Sequence, residues 1–251
     1  MFDLTGKVAI VTGGAGGLGR DIALALARNG ADVVVTSRNI ANLEAVAKEI
    51  QGMGRKALAI ASDITNAASL TGMVDQVVKN FSHIDILVNV AGINIRASAE
   101  EFDPQEWEKV IHFNVFGTFL CCQIVGRVMI KQKSGKIINI SSIRGRNGPP
   151  MGGAAYATSK GGVDSLTRTL AVEWAKYNIN VNAVAPALVM TEMTRKFLSD
   201  PEIYKRMTAD IPLNRLGVPG DIVGPIILLA SKEADFMTGQ IIYIDGGMSA
   251  R

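Results

Sequence analysis

Seven short apolar runs, spaced by segments of helical periodicity, constrain what this 251-residue chain can fold into. They are "KVAIVT", "DVVVTS", "KALAIASD", "IDILVNVAG", "GKIINISS", "INVNAVAP" and "GQIIYIDGG". A strand with one solvated face alternates apolar and polar residues. A strand covered on both faces reads as an unbroken apolar run, as these do. Between them, "GRDIALALARNG", "NIANLEAVAKEIQGMG", "NAASLTGMVDQVVKNF" and "PGDIVGPIILLAS" read as helices. So do two longer segments, "EWEKVIHFNVFGTFLCCQIVGRVMIKQ" and "AAYATSKGGVDSLTRTLAVEWAKYN". Strands that alternate with helices build a parallel sheet with helices on both faces. The expected fold is α/β: one doubly wound domain over residues 1–251 with a seven-stranded parallel sheet. No linker, repeat or low-complexity stretch divides it. Residues 191–215 are mixed and more polar, and read as a lid over the substrate.

Composition narrows the function classes. The formal net charge of +3 is too small, and Lys and Arg too scattered, to point to nucleic acid; a mild preference for an anionic ligand fits better. Cys121 and Cys122 are adjacent in an apolar run, without metal-ligand spacing, and read as small core residues. The start "MFDLTGKVAIVTGG" shows no signal peptide, and no segment reaches the roughly 18 apolar residues of a membrane span. The expectation is a cytoplasmic protein with no metal and no membrane partner.

"TGGAGGLG", residues 12–19, follows the first strand and opens the first helix. It holds two overlapping fingerprints: G-x-G-x-x-G from Gly14, and T-G-x-x-x-G-x-G from Thr12. Glycines there allow a tight turn and let backbone N–H groups approach a pyrophosphate, helped by the helix N-terminus. At the end of the second strand, a carboxylate would take the ribose hydroxyls of NAD. This chain has Ser37 and Arg38 instead. A guanidinium pairs with the 2′-phosphate of NADP, so NADP(H) is favoured, with NAD(H) admitted if Arg38 only stacks on adenine. Asp63, after the third strand, is either an acceptor for the adenine amino group or a helix N-terminal residue.

Tyr156 and Lys160 stand four apart on one helix face. An ammonium beside a phenol favours the phenolate, and a tyrosine so tuned serves as general acid or base in alcohol–carbonyl chemistry. Ser142, at the end of "GKIINISS", points into the crevice at the carboxyl edge of the sheet. Asn114 lies mid-helix among apolar neighbours, a buried amide that needs partners.

"TGGAGGLG", "NVAG", "FNVFG", "INISS" and "YATSK", in this order, resemble the short-chain dehydrogenase/reductase family, with its Rossmann fold, across essentially the whole chain. The resemblance implies the register Thr12, Gly13, Gly17 and Gly19, with Leu18 beside the last. It implies a catalytic tetrad of Asn114, Ser142, Tyr156 and Lys160. Tyr156 would exchange the proton with the substrate oxygen, and Ser142 would hold that oxygen. Lys160 would lower the tyrosine pKa and bind the nicotinamide ribose, while Asn114 would hold a water behind it. Ile64, Asn89, Ala91, Gly92, Pro186, Val189 and Thr191 would complete the cofactor site. A homotetramer is also implied. The chain departs from the pattern at Val90, at Ala187 after Pro186, where alanine resists a positive φ, and at Gly16, where many NADP-dependent members are basic.

"AGINIRASAEEF" and the C-terminal "GQIIYIDGGMSAR" resemble gluconate 5-dehydrogenases and related sugar-acid dehydrogenases. Arg96, Arg144 and Arg146 stand near the expected crevice and would clamp a substrate carboxylate; the alternative is that they are solvated or at subunit contacts. The expected activity interconverts a secondary alcohol and a ketone on a hydroxy acid such as gluconate. The rivals are a 3-oxoacyl-(acyl-carrier-protein) reductase, a dehydrogenase of simpler alcohols, and a non-catalytic nucleotide-binding sensor.

Overall fold

The computed structural model describes residues 2–148, 152–190 and 200–250. Seven strands form one sheet: β1 Val8–Thr12, β2 Asp32–Ser37, β3 Ala57–Ala61, β4 Ile86–Asn89, β5 Gly135–Ile140, β6 Ile179–Pro186 and β7 Ile241–Ile244. Their order is β3-β2-β1-β4-β5-β6-β7, and every pairing is parallel. The helices are α1 Gly17–Arg28, α2 Ile40–Gly52, α3 Ala67–Phe81, α4 Pro104–Ile111, α5 Gly117–Gln132, α6 Ala154–Trp174, α7 Pro201–Thr208 and α8 Pro219–Ala230.

The unbroken apolar runs have the predicted consequence. Alternate residues of β1 enter different cores: Ala9 and Val11 pack with α1, α2 and α8, while Val8 and Ile10 pack with α3, α5 and α6. Burying a Val or Ile side chain is worth roughly 1.5–3 kcal/mol. Both faces therefore hold the sheet. The strand order reverses direction between β1 and β4, which leaves a crevice at their carboxyl ends.

The helix expected over residues 106–132 begins at Pro104 and contains a π turn at His112–Phe116. Asp103 caps the start by accepting from the Gln105 N–H, with Pro104 in the first turn. The span has the length and hydropathy of a membrane helix, with a mean hydropathy of 1.5 over its best window. The polar residues His112, Asn114 and Gln123 interrupt it, so no unbroken run of roughly 18 apolar residues is present in the span. Here the apolar residues serve packing: Leu120, Cys121, Cys122, Ile124, Val125 and Met129 are buried on the α3, β4, β5 and α6 side.

Candidate active site

The glycine loop is shaped by steric need. Gly13 has φ +70° and Gly17 φ +52°, left-handed conformations that side chains resist. A Cβ on Gly19 would lie only 2.2 Å from the Gly13 carbonyl oxygen. Gly16, by contrast, is extended and open. These demands match the register Thr12-Gly13-Gly17-Gly19 and leave Gly16 of the other register without one, although Gly14 is crowded by Val35. No side chain caps α1. Its first N–H groups stay available to an anion, as a dinucleotide phosphate requires. The loop's shape and this uncapped end fit a nicotinamide dinucleotide. Leu18 packs partly buried against the core. Thr12 is buried, and its hydroxyl accepts from the Val90 and Ala91 N–H groups at 3.1 and 3.4 Å. It thereby joins the ends of β1 and β4 at the crevice.

Ser37, Arg38, Asn39 and Ile40 line an open groove at the end of β2. The Arg38 guanidinium lies 5.8 Å from the centre of the Phe113 ring, a contact the sequence did not suggest. Asp63 accepts from both the backbone and the hydroxyl of Thr65, at 2.9 and 2.8 Å. Those two bonds, with smaller help from Arg38 and His112, hold its carboxyl below the ordinary range. The cap of α3 is Asn66, three residues on, so the helix N-terminal reading of Asp63 is not the capping one. Ile64 is buried beneath Gly117. Asn89 points away from the loop, donating to Asn139 Oδ1 at 2.9 Å and to Cys122 Sγ at 3.3 Å.

Asn114 sits in the π turn, buried. Its amide donates to the Ile93 carbonyl and to Ser159 Oγ, both at 2.9 Å, and its Oδ1 accepts from the Ile93 N–H at 2.8 Å. The amide therefore clamps the segment following Ala91 and Gly92 to α6. Ser159, inside "YATSK", was not singled out in the sequence. It completes the link by donating to the Tyr156 carbonyl at 2.7 Å. Asn114 Oδ1 and Lys160 Nζ converge on Gly92, where a Cβ would lie 3.5 and 3.6 Å from them.

Ser142 stands two residues past the end of β5 rather than on the strand. Its hydroxyl accepts from the Arg144 N–H at 3.2 Å and lies 3.5 Å from the Pro186 carbonyl oxygen. Tyr156 and Lys160 share a face of α6, with the ammonium 5.6 Å from the ring centre. Lys160 is buried and donates to the Ile140 carbonyl at 2.7 Å. Burial pushes its pKa down to about 8, partly opposed by Asp164.

Burial pushes the Tyr156 phenol up, and the Ser142 hydroxyl and the charge of Arg96 oppose this. The Lys160 ammonium reaches the Ile140 carbonyl at the end of β5 and lies 5.6 Å from the Tyr156 ring centre. Arg96, in the exposed segment after β4, was expected near the crevice only as a substrate clamp. Arg144 follows Ser142 in the turn Ile143–Gly145, and its guanidinium reaches the Gly148 carbonyl at 3.4 Å. Arg146 lies over the Tyr243 ring instead.

Ala187 adopts no positive φ, so the departure from Pro-Gly costs no strain. Val189 forms an isolated bridge with Gly217. Thr191, and the first part of the 191–215 lid, lie outside the described residues. The rest of that segment contains α7 and packs through Ile203, Tyr204, Met207 and Ile211 against Met190, Leu216 and Met248.

Residues 13–249 match the family described as enoyl-(acyl carrier protein) reductase. The chain is similar to the 2-dehydro-3-deoxy-D-gluconate 5-dehydrogenase of Escherichia coli, with 39% identity over 251 residues, covering 100% of this chain and 98% of that one. It is also similar to a 3-oxoacyl-(acyl-carrier-protein) reductase of Synechocystis, with 40% identity over 250 residues and 99% of each chain covered. Among solved structures, a gluconate 5-dehydrogenase from Burkholderia cenocepacia in complex with NADP and tartrate aligns with a TM-score of 0.94. That pair shares 34% identity, over 100% of this chain and 98% of the other. The glycine loop, the tyrosine–lysine helix and these full-length matches together place the chain in the short-chain dehydrogenase/reductase family of oxidoreductases.

Proposed function

We propose that this protein is an NADP(H)-preferring dehydrogenase that interconverts a secondary alcohol and a ketone on a hydroxylated acid, with gluconate and its 5-keto form as the best fit. The observation that carries the acid is the full-length similarity to a dehydrogenase of a gluconate derivative, with Arg96, in the exposed segment after β4, as the first candidate clamp. The relatives acting on gluconate derivatives, and the neighbour holding tartrate, a hydroxy acid, support the same class. Arg144, on the turn beside Ser142, is the second candidate clamp.

The chain's own residues divide the work. Tyr156 exchanges the hydroxyl proton of the substrate. Ser142, whose hydroxyl opposes the effect of burial on Tyr156, holds the reacting oxygen beside it. Lys160 supplies a buried positive charge and the donor for the cofactor ribose. Asn114 fixes the Gly92–Ile93 backbone against α6 and lies on the side of Lys160 from which a proton relay would leave. Thr12, Gly13, Gly17, Leu18 and Gly19 hold the pyrophosphate, with Ser37 and Arg38 at the 2′-phosphate and Asp63 and Ile64 at the adenine. Ala91, Gly92, Pro186, Val189 and Thr191 border the nicotinamide, and Asn89 supports them from beneath. The bound nicotinamide itself accepts or donates the hydride. The segment 191–215 is the proposed lid. Exposed Phe116 and Val172, and fully exposed Phe236 before β7, support a homotetramer. A cytoplasmic location, where nicotinamide cofactors are supplied, completes the proposal.

The competing reading is a 3-oxoacyl-(acyl-carrier-protein) reductase, favoured by the 40% identity to one. Absorbance of reduced nicotinamide separates them. Purified protein is assayed with NADP and NAD against gluconate, related sugar acids and simple secondary alcohols, and with NADPH against an acetoacetyl thioester. Sugar-acid turnover supports the proposal. Thioester reduction without it promotes the rival, and simple-alcohol turnover alone removes the acid clamp.

A further inference from the structure

The π turn at His112–Phe116 sends neighbouring side chains to different places. Asn114 is buried in the site. His112 stacks on Phe116, with ring centres 4.7 Å apart and planes 21° from parallel. Phe113 does neither. Its ring is half-buried and packs against the core on the α3 and α5 side. Its one face partner is the Arg38 guanidinium, 5.8 Å from the ring centre. Among the described residues, no aromatic ring stacks on it.

Arg38 comes from a different part of the chain. It follows β2, is exposed, and belongs to the open groove that Ser37, Asn39 and Ile40 also line. The glycine loop adjoins the same place, because the Gly13 and Gly14 N–H groups donate to the Thr36 carbonyl at 2.8 and 3.3 Å. The end of β3 is tied in as well: the Ser62 N–H donates to the Ser37 carbonyl at 2.9 Å. Just beyond, Ile64 sits so close to the π turn that a Cβ on Gly117 would come within 2.8 Å of its Cδ1. The ends of β1, β2 and β3 and the π turn therefore meet around the Arg38–Phe113 pair.

The spacing of that pair is informative. Two flat groups in full contact lie about 3.5–4 Å apart, so 5.8 Å is a loose pairing near the limit of cation–π attraction. A flat base held between the two faces needs two contact spacings, about 7 Å, so the pair is roughly 1 Å too narrow for one. Arg38 is exposed and free to swing outwards, whereas Phe113 is held by the core.

We propose that Phe113 is an adenine-binding residue: its ring is the fixed wall of a slot for the cofactor's base, and the Arg38 guanidinium is the movable wall, resting on the ring in the free protein and lifting to admit the base. This role rests on the dehydrogenase reading above. With the base in place, the guanidinium covers its outer face, and the N–H edge stays free for a 2′-phosphate. Stacking is indifferent to the 2′ position, so Phe113 serves NADP and NAD equally, whereas Arg38 separates them.

Calorimetric titration of the full-length protein with 2′,5′-ADP, NADP and NAD tests this without turnover. Phe113→Leu keeps apolar bulk against the core and removes the aromatic face, while Phe113→Tyr keeps the face. The leucine variant should bind all three ligands at least about fivefold more weakly, with the NADP-to-NAD affinity ratio within about twofold of native. The tyrosine variant should stay within about twofold for each. A leucine variant that binds as the native protein does overturns the proposal. So does a tyrosine variant as weak as the leucine one, because the position is then structural. A crystal structure of the native protein with 2′,5′-ADP needs no variant: the base lies between ring and guanidinium, or it lies elsewhere and the proposal falls. A native protein that binds none of the three ligands sinks the dehydrogenase reading with it. Binding that ignores Phe113 sinks the slot alone.

Discussion

Lys160 donates from Nζ to the carbonyl oxygen of Ile140 at 2.7 Å, tying the middle of the tyrosine helix to the end of β5. The bond fixes the ammonium where water is excluded. It also makes the lysine a reporter on folding. In the folded protein its pKa is pushed down to about 8 from the ordinary 10.5.

Between those two values the unfolded state binds more protons than the folded one, so this group makes stability rise with pH. Below about 8 the buried charge costs roughly 3 kcal/mol, and the cost fades as pH approaches 10.5. Urea titrations of native protein and Lys160→Met across this window check it. The native protein should gain on the variant by an amount of that order. A constant difference would show that Lys160 keeps its proton in the folded state.

The loop register makes a paired prediction. Gly19→Ala drives a methyl into the Gly13 carbonyl, so it should destabilise by about 1–3 kcal/mol and weaken dinucleotide binding at least about tenfold. Gly16→Ala enters open space at an extended residue and should stay within about 0.5 kcal/mol. Calorimetry of folding and of cofactor binding measures both.

Arg38→Gln should weaken NADP binding by about 10- to 100-fold, the worth of a charge-assisted bond to phosphate, and leave NAD nearly unchanged. The two dissociation constants are read by quenching of protein fluorescence. Equal effects on both would return Arg38 to its resting contact with Phe113.

The sheet was legible because each strand is apolar on both faces, and Val8 to Val11 show why: neighbours enter opposite cores. The π turn at His112–Phe116 was not, since one extra residue in a helical turn barely alters apolar spacing. Asn114 could be read as a buried amide, but its partners Ile93 and Ser159 depend on tertiary packing. Tyr156 and Lys160 could be paired by their spacing. The direction in which the lysine side chain runs, towards Ile140, could not.

The central claim is that Tyr156 performs proton exchange in a cofactor-dependent oxidoreductase. Tyr156→Phe keeps the ring and removes the hydroxyl. Turnover of the best substrate should fall by about 10²- to 10⁴-fold, with the NADP dissociation constant within about threefold of native. Retention of more than about a tenth of native turnover would contradict the account, because the proton would then come from another group.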